Sequence, residues 1–488
     1  MTEHVEVRAG VYADSVTLMQ VSRRVADVEG IDSALVAMAT ELNLDVLGGM
    51  AFPTPDAGPN DLIVAVRGGD EAIAAALAEL ETALTDSRGA GQASRLGDEA
   101  APRTIRQTVQ LGASLALISV PGEHAYVEAL DALTAGLHVM VFSDNVPAEH
   151  EVALKRFAAD RGLLVMGPDA GTAIIGGVGL GFANVAQPGP VGVVAASGTG
   201  AQQLTCLLDD AGVGIAHVIG VGGRDLQAGV GGLASEAALV ALDGDPATQV
   251  IVLLSKPADA DVAARLRAVS SSLSKPVIEA LIGPDANNLT EIADQIVAHV
   301  GAQALQPASW PATAARASGY SELRGLFAGG TLCDEAMVIA SRQLGDVRSN
   351  IPLPGGLPLT AGLDTPGHIF VDLGEDEFTR GRPHPMIDQS LRVDRIQAEV
   401  ARSGSKVLLL DVVLGHAAHP DPAAELAPAI EVAVATGEVA VVISLCGSQG
   451  DPQGRQRQAE QFVAAGASVH VSNAAAASEA VTLVGGAS

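Results

Sequence analysis

Apolar residues in this chain gather in short unbroken runs, and most of these runs close on a glycine or polar turn that leads into a helix-spaced stretch. Such runs occur at 61–66, 115–120, 138–142, 163–166, 191–196, 217–221 and 250–254. Runs of this length without alternation predict strands buried on both faces of a parallel sheet, and the stretches between them predict crossover helices. The pattern predicts an α/β protein. In the first hundred residues it predicts a βαβ-type unit, with an apolar run at 33–38, a strand at 61–66 and a helix over 70–85, and then a polar, glycine-rich linker at 86–102.

The stretch 192–225 organises the rest: GVVAASGTGAQQLTCLLDDAGVGIAHVIGVGGRD. Its strand runs into the turn Ser197, Gly198, Thr199, Gly200, and a helix is predicted over 202–211. A second strand ends in Gly222, Gly223, Arg224. Glycine lets the backbone approach a ligand closely, and a helix start aims unpaired N–H groups at an anion. These turns are candidates for binding phosphate or an acyl phosphate. The same spacing also fits two strand-to-helix turns with no ligand. The segment 325–345 repeats the pattern, with Gly329, Gly330 and Thr331 as its turn, and 407–426 echoes 250–266. The second half therefore reads as two copies of one α/β domain, the second with an insertion at 348–394.

Composition narrows the picture. A chain of 488 residues predicts about three domains. Hydrophobic residues make up 48% but aromatics only 2%, so the cores are expected to be Ala, Val, Leu and Gly. The formal net charge of −29 disfavours nucleic acid and anionic membranes as partners. No apolar stretch is long enough to span a bilayer and no secretory signal opens the sequence, so a cytoplasmic protein is expected. Cys206, Cys333 and Cys446 lie far apart without metal spacing and are expected as buried small residues. His416 and His419 sit among glycine and proline without a clear third ligand, so no metal site is expected.

The densest polar cluster is DLGEDEFTRGRPHPMIDQSLR, which contains Arg380, Arg382, His384 and Asp388. Pro383 and Pro385 fix the backbone around His384. Such a loop suits a carboxylate or dianionic substrate, with Arg382, His384 and Asp388 as catalytic candidates and His384 as an acid or base near neutral pH. The other reading is a surface loop whose arginines pair with Glu375, Asp376 and Glu377.

The segment LISVPGEHAYVEALDALTAGLHVMVFSDNVPAEHEVALKRFAADRGLLVMGPDAGTAI resembles the end of the CoA-binding domain of the succinyl-CoA synthetase α subunit. GVVAASGTGAQQL…GVGGRD resembles the start of that subunit's next domain. With the opening GVYADSVTLM, nearly the whole chain resembles the FdrA family, which joins α-like and β-like synthetase parts. The resemblance implies an N-terminal α/β region at 1–102, a CoA-binding-like Rossmann region at 103–186, and flavodoxin-like ligase domains at 187–305 and 320–488. In the resembled synthetases, two helix N-termini face a phosphorylated histidine. Here the strand before Gly283 meets no histidine until His299, and Ser255-Lys256-Pro257 stands where the supporting glutamate is expected.

The resemblance also extends to a subunit of oxamate carbamoyltransferase, a hetero-complex of ureide nitrogen catabolism. It implies a carbamoyl or acyl transferase subunit acting through carbamoyl phosphate or another acyl phosphate, with CoA as a further ligand. Other subunits, and a second copy of the chain, are the implied protein partners. In this reading Ser197–Gly200 and 329–331 hold phosphate, Arg224 stabilises charge, and Arg382 and His384 orient the acceptor. An NDP-forming acyl-CoA synthetase subunit and a non-catalytic CoA- or phosphate-binding scaffold are the alternatives.

Overall fold

The computed structural model describes residues 2–11, 13, 15–92, 102, 104–284, 286–313, 318–380 and 382–485. The chain packs as two compact units, one of Met1–Gly112 with Thr379–Pro383, the other of Ala113–Phe378 with His384–Ser488.

The first unit contains β1 (Thr2–Arg8), α1 (Ser15–Ala26), β2 (Ile31–Met38), α2 (Glu41–Gly49), β3 (Leu62–Gly68), α3 (Asp70–Gln92) and α4 (Ile105–Val109). Its sheet has the order β1-β3-β2 with both pairs antiparallel, so the expected βαβ-type unit is corrected. The apolar run of β3 reflects a central strand covered on both faces. Leu62, Val64 and Val66 pack with Leu18, Val21 and Leu80, whereas Ile63 and Ala65 pack with Leu47 and Phe52. α3 runs into the expected linker as far as Gln92, and 93–101 lie outside the described residues.

The second unit opens with β4 (Leu115–Ile118), α5 (Gly122–Thr134), β5 (His138–Val141), α6 (Ala148–Ala159) and β6 (Val165–Met166), a parallel sheet of order β4-β5-β6. The hairpin β7 (Thr172–Ile175) and β8 (Val178–Gly181) joins the next sheet, where β7 pairs antiparallel with β10 (Ile215–Gly220). The Rossmann-like sheet therefore closes at β6, ahead of the expected 186. Next come β9 (Pro188–Ala196), α7 (Gly198–Asp210), β10, α8 (Leu233–Gly244), β11 (Val250–Ser255), α9 (Ala260–Ser272), β12 (Val277–Leu281) and α10 (Leu289–His299). The sheet order is β12-β11-β9-β10-β7-β8.

The last part contains β13 (Ser309–Trp310), β14 (Glu322–Phe327), α11 (Gly330–Leu344), β15 (Val347–Ser349), β16 (Leu357–Pro358), β17 (His368–Asp372), α12 (Asp376–Thr379), α13 (Ser390–Ala401), β18 (Lys406–Val413), α14 (Pro422–Ala435), β19 (Val439–Cys446), α15 (Arg455–Ala464), β20 (Ser468–His470) and α16 (Asn473–Gly485). Its sheet order is β13-β20-β19-β18-β14-β17-β15-β16. β14 lies between β17 and β18 as β9 lies between β10 and β11. β17 is thus the counterpart of β10, and the stretch 348–394 is only partly an insertion. The added chain is β15, β16 and the loops around β17.

Both domains are flavodoxin-like α/β layers, and their central strands show why the runs are continuous. Every residue of β18 and β19 is buried. α7 and α11 are buried on nearly all sides, over 200–208 and 331–340. A helix enclosed in this way has a fixed start, and two such starts build the site.

Candidate functional site

Ser197 is extended (φ −158°, ψ 118°), and its Oγ accepts from the Gly200 amide at 3.0 Å. α7 therefore begins at Gly198, four residues before the predicted helix, because a serine cap supports its glycine-rich first turn. α11 begins at Gly330 and has no side-chain cap from Gly329. Asp411 of β18 takes that place from the neighbouring strand, accepting from the amides of Ala328 (2.7 Å) and Gly329 (2.9 Å). Arg392 holds Asp411 in turn, with its Nη2 3.4 Å from the Asp411 Oδ1 and bonded to the Asp411 carbonyl.

The two helix starts meet. Ser197 Oγ and Thr331 Oγ1 are 2.6 Å apart and share a hydrogen bond. A Cβ on Gly329 would lie 2.6 Å from Thr199 Cγ2, and one on Gly200 would lie 2.9 Å from Thr331 Cγ2. Glycine is required at these two positions by close approach. Each start carries roughly half a positive charge, so their juxtaposition favours an anion beside them.

Two charged groups reach the same point. A Cβ on Gly330 would lie 2.5 Å from Lys256 Nζ and 2.6 Å from Asp372 Oδ2. Lys256 follows β11 and Asp372 ends β17, so both project from the carboxyl ends of parallel strands, where α/β sheets place ligands. Lys256 Nζ makes no hydrogen bond or ion pair with any described residue. Asp372 is 4% exposed. Its Oδ1 accepts from the Gly374 amide at 2.9 Å, and its Oδ2 has no hydrogen-bond partner among the described residues.

The charges are tuned by burial. Asp372 is pushed up to about 7, by burial first and against the pull of Lys256. Burial also raises Asp334, in the first turns of α11, to about 6, again against Lys256. Asp169 rises to about 6 because it is enclosed by protein and close to Asp144, although its side chain still meets solvent. Burial depresses Lys256, but Asp334, Asp372, Glu375 and Asp169 outweigh it and hold the ammonium charged. The result is a charged lysine at two helix starts, beside carboxyls that change protonation near neutral pH.

The other expected residues divide. Gly198, Thr199 and Gly200 form the first turn of α7, and Gly329, Gly330 and Thr331 lie at the start of α11. Gly222 has φ +88°, and its turn packs closely on Gly167 and Pro168. Gly223 lies beside Asp169, 3.8 Å from a built Cβ to Oδ2. Arg224 makes structural contacts. Its Nη2 bonds the Val146 carbonyl (2.8 Å) and Glu151 (3.0 Å), beside the buried Lys155–Asp225 ion pair (2.8 Å), while the side chain remains 42% exposed.

His384 is corrected as an acid–base near neutral pH. Burial and then Arg392 lower it to about 4, and its Nδ1 accepts from Met386 N at 3.2 Å, so it stays neutral with its Nε2 toward Gly374. Asp388 accepts from the Ser390 amide at 2.8 Å, ahead of α13. Arg382 is exposed, donates its backbone N–H to Thr379, and groups with the first unit. His419 pairs with Glu425 at 3.0 Å, and no group of three or more His, Cys, Asp or Glu suited to a metal occurs among the described residues. The three cysteines are buried and free.

Sequence reasoning passed over Lys256, Asp372 and Asp334. The available signal was a charged residue directly closing an apolar run, in VIVLLSK and HIFVD, and an acid inside the apolar stretch TLCDEAMVIA.

A CoA-ligase family model matches residues 326–483, and the model of an AllF heavy metal-associated domain matches residues 1–101. Residues 1–101 contain no cysteine. Residues 326–483 are thus CoA-ligase-like, and part of the chain is similar to succinate–CoA ligase α subunits. The chain belongs to the family of the uncharacterized protein YahF of Escherichia coli, to which it is 35% identical over 96% of this chain and 95% of YahF. The succinate–CoA ligase [ADP-forming] α subunit of Methanothermobacter thermautotrophicus is 26% identical over 37% of this chain and 60% of that subunit. Among solved structures, the dinucleotide forming acetyl-coenzyme A synthetase 1 of Ca. Korarchaeum cryptofilum is 16% identical, covering 80% of this chain and 88% of that one, with a TM-score of 0.32.

Proposed function

We propose that this chain is an FdrA-type subunit of an acyl or carbamoyl transferase that works through an acyl phosphate, as in oxamate carbamoyltransferase. The observation that carries the reading is the convergence of two helix starts, joined by the Ser197–Thr331 hydrogen bond, on the Lys256 ammonium, which has no hydrogen-bond or ion-pair partner among the described residues. Amides at 330–332 and Lys256 hold the phosphoryl oxygens, and their charge stabilises the phosphate as it leaves. CoA, other subunits and a second copy of the chain enter this reading through its resemblance to the synthetases.

The test is calorimetric titration of the full chain with carbamoyl phosphate, acetyl phosphate and CoA. Binding of either acyl phosphate is expected, with an affinity loss of at least about tenfold in Lys256→Met. No binding of either acyl phosphate overturns the reading.

An NDP-forming acyl-CoA ligase subunit is the second reading, favoured by the match to the succinate–CoA ligase α subunit. It requires phosphoryl transfer without a histidine after β12, since none occurs between Gly283 and His299. CoA-dependent ADP formation by the chain with a nucleotide-binding partner subunit would select it.

A further inference from the structure

We propose that Asp372 is the catalytic carboxyl of this site, carrying the proton that moves between the attacking nucleophile and the departing phosphate. The inference rests on the acyl-phosphate reading and adds the residue that performs the proton transfer.

Geometry carries the argument. Asp372 is 4% exposed, and one of its oxygens is fixed by the Gly374 amide. The other oxygen has no partner among the described residues and is aimed at the first residue of α11, at the point that Lys256 Nζ also reaches. A buried carboxyl oriented by one oxygen and left unbonded at the other is arranged to exchange a proton with whatever occupies that point. Phosphoryl oxygens bound to the α11 amides and Lys256 would lie beside Oδ2.

The step balances. A nucleophile H–Nu attacks the acyl carbon, the Nu–C bond forms and the C–O bond to phosphate breaks. The proton of H–Nu passes to Asp372 Oδ2 and then to the released phosphate, which leaves as HPO₄²⁻. The carboxylate is regenerated, and no oxidant, reductant or metal is required. In the reverse direction the protonated carboxyl donates to the leaving group.

The surroundings permit both states. The groups acting on Asp372 are Lys256, Glu375 and Asp411. Asp334 and Asp169 act on the same lysine. His384, whose Nε2 shares the Gly374 neighbourhood, is neutral in the pH range concerned, and Arg392 is held by Asp411. Burial first, with Glu375 and Asp411 adding to it and Lys256 opposing, places Asp372 between its two forms near neutral pH.

The test uses the full chain with acetyl phosphate and hydroxylamine, following acetohydroxamate above the uncatalysed rate, and sulfate affinity by calorimetry as a non-titrating anion probe. Asp372→Asn should lower the rate about 100-fold or more while sulfate affinity near pH 6 stays within about twofold, since the carboxyl it replaces is neutral there. The ratio of wild-type to Asp372→Asn rates should rise with pH and level off above about pH 7. Asp372→Glu, which keeps the carboxyl, should retain about a tenth of the rate or more. An Asp372→Asn chain that binds sulfate and keeps its rate, or a rate ratio independent of pH, overturns the proposal. A wild-type chain that binds sulfate but forms no hydroxamate also overturns it while leaving the anion site standing. A wild-type chain that binds no sulfate contradicts the acyl-phosphate reading itself.

Discussion

Ser197 Oγ and Thr331 Oγ1 lie 2.6 Å apart although 134 residues separate them in the chain. The pair joins the start of one flavodoxin-like domain's first helix to the start of its duplicate's. Ser197 Oγ also accepts from Gly200 N, so the hydroxyl of Thr331 is held by a group that is itself fixed. Thr331→Val keeps the shape and removes the bridge. The expected cost is about 1 kcal/mol of stability, read from urea unfolding, together with weaker sulfate binding in calorimetry.

Gly330 is needed for space. Its φ is not positive, so alanine suits its backbone and favours the helix by up to about 1 kcal/mol. Its Cβ would nonetheless meet Lys256 Nζ and Asp372 Oδ2. Gly330→Ala should therefore lower anion affinity at least about tenfold, with helical content by circular dichroism unchanged. Undiminished affinity would move the anion site away from α11.

Asp411 positions the second turn. It accepts from Ala328 and Gly329 and faces the buried Arg392. Asp411→Ala leaves a guanidinium uncompensated in the interior, and the expected loss is about 3–5 kcal/mol, measured as a lower denaturation midpoint. Asp411→Asn, which can still accept from the amides, should lose less.

Asp372 makes stability depend on pH with a defined sign. Its pKa is raised by burial from 3.8 to about 7, so between those values the native state binds more protons than the unfolded chain. Stability from this group is present below its unfolded pKa and is lost as pH rises through about 7. Asp334 and Asp169 act in the same direction up to about 6. His384, lowered to about 4 from 6.5, acts in the opposite direction, adding stability as pH rises across that interval. Asp372→Asn stays neutral, so its stability relative to wild type should increase between about pH 5 and pH 8, by an amount on the order of a few kcal/mol. Urea unfolding of both chains at the two pH values reads this directly.

The α/β class and the duplication were legible because fully buried parallel strands leave continuous apolar runs, as in β11, β18 and β19. The glycine turns were legible for the same reason, since strand, turn and helix follow one another locally. Four features were hidden, most of them because they depend on partners distant in sequence. β3 reads as a parallel-sheet strand but is the centre of an antiparallel sheet, because both kinds of strand are apolar when covered on both faces. β17 sat inside an apparent insertion because loops of unusual composition surround it. Arg224 and His384 looked chemical because of their residue type, whereas Val146 and Glu151 hold the Arg224 side chain, and burial, then Arg392, keeps His384 neutral. Lys256 and Asp372 acquire meaning only when two domains bring the ends of β11 and β17 to the first turn of α11.

The most direct measurement is a crystal structure of the full chain grown with sulfate or acetyl phosphate. The account predicts tetrahedral density at the start of α11, bonded to the amides of Gly330 and Thr331 and to Lys256 Nζ, with Asp372 Oδ2 alongside. Lys256 turned onto a carboxylate, with the anion elsewhere or absent at saturating concentration, would contradict it.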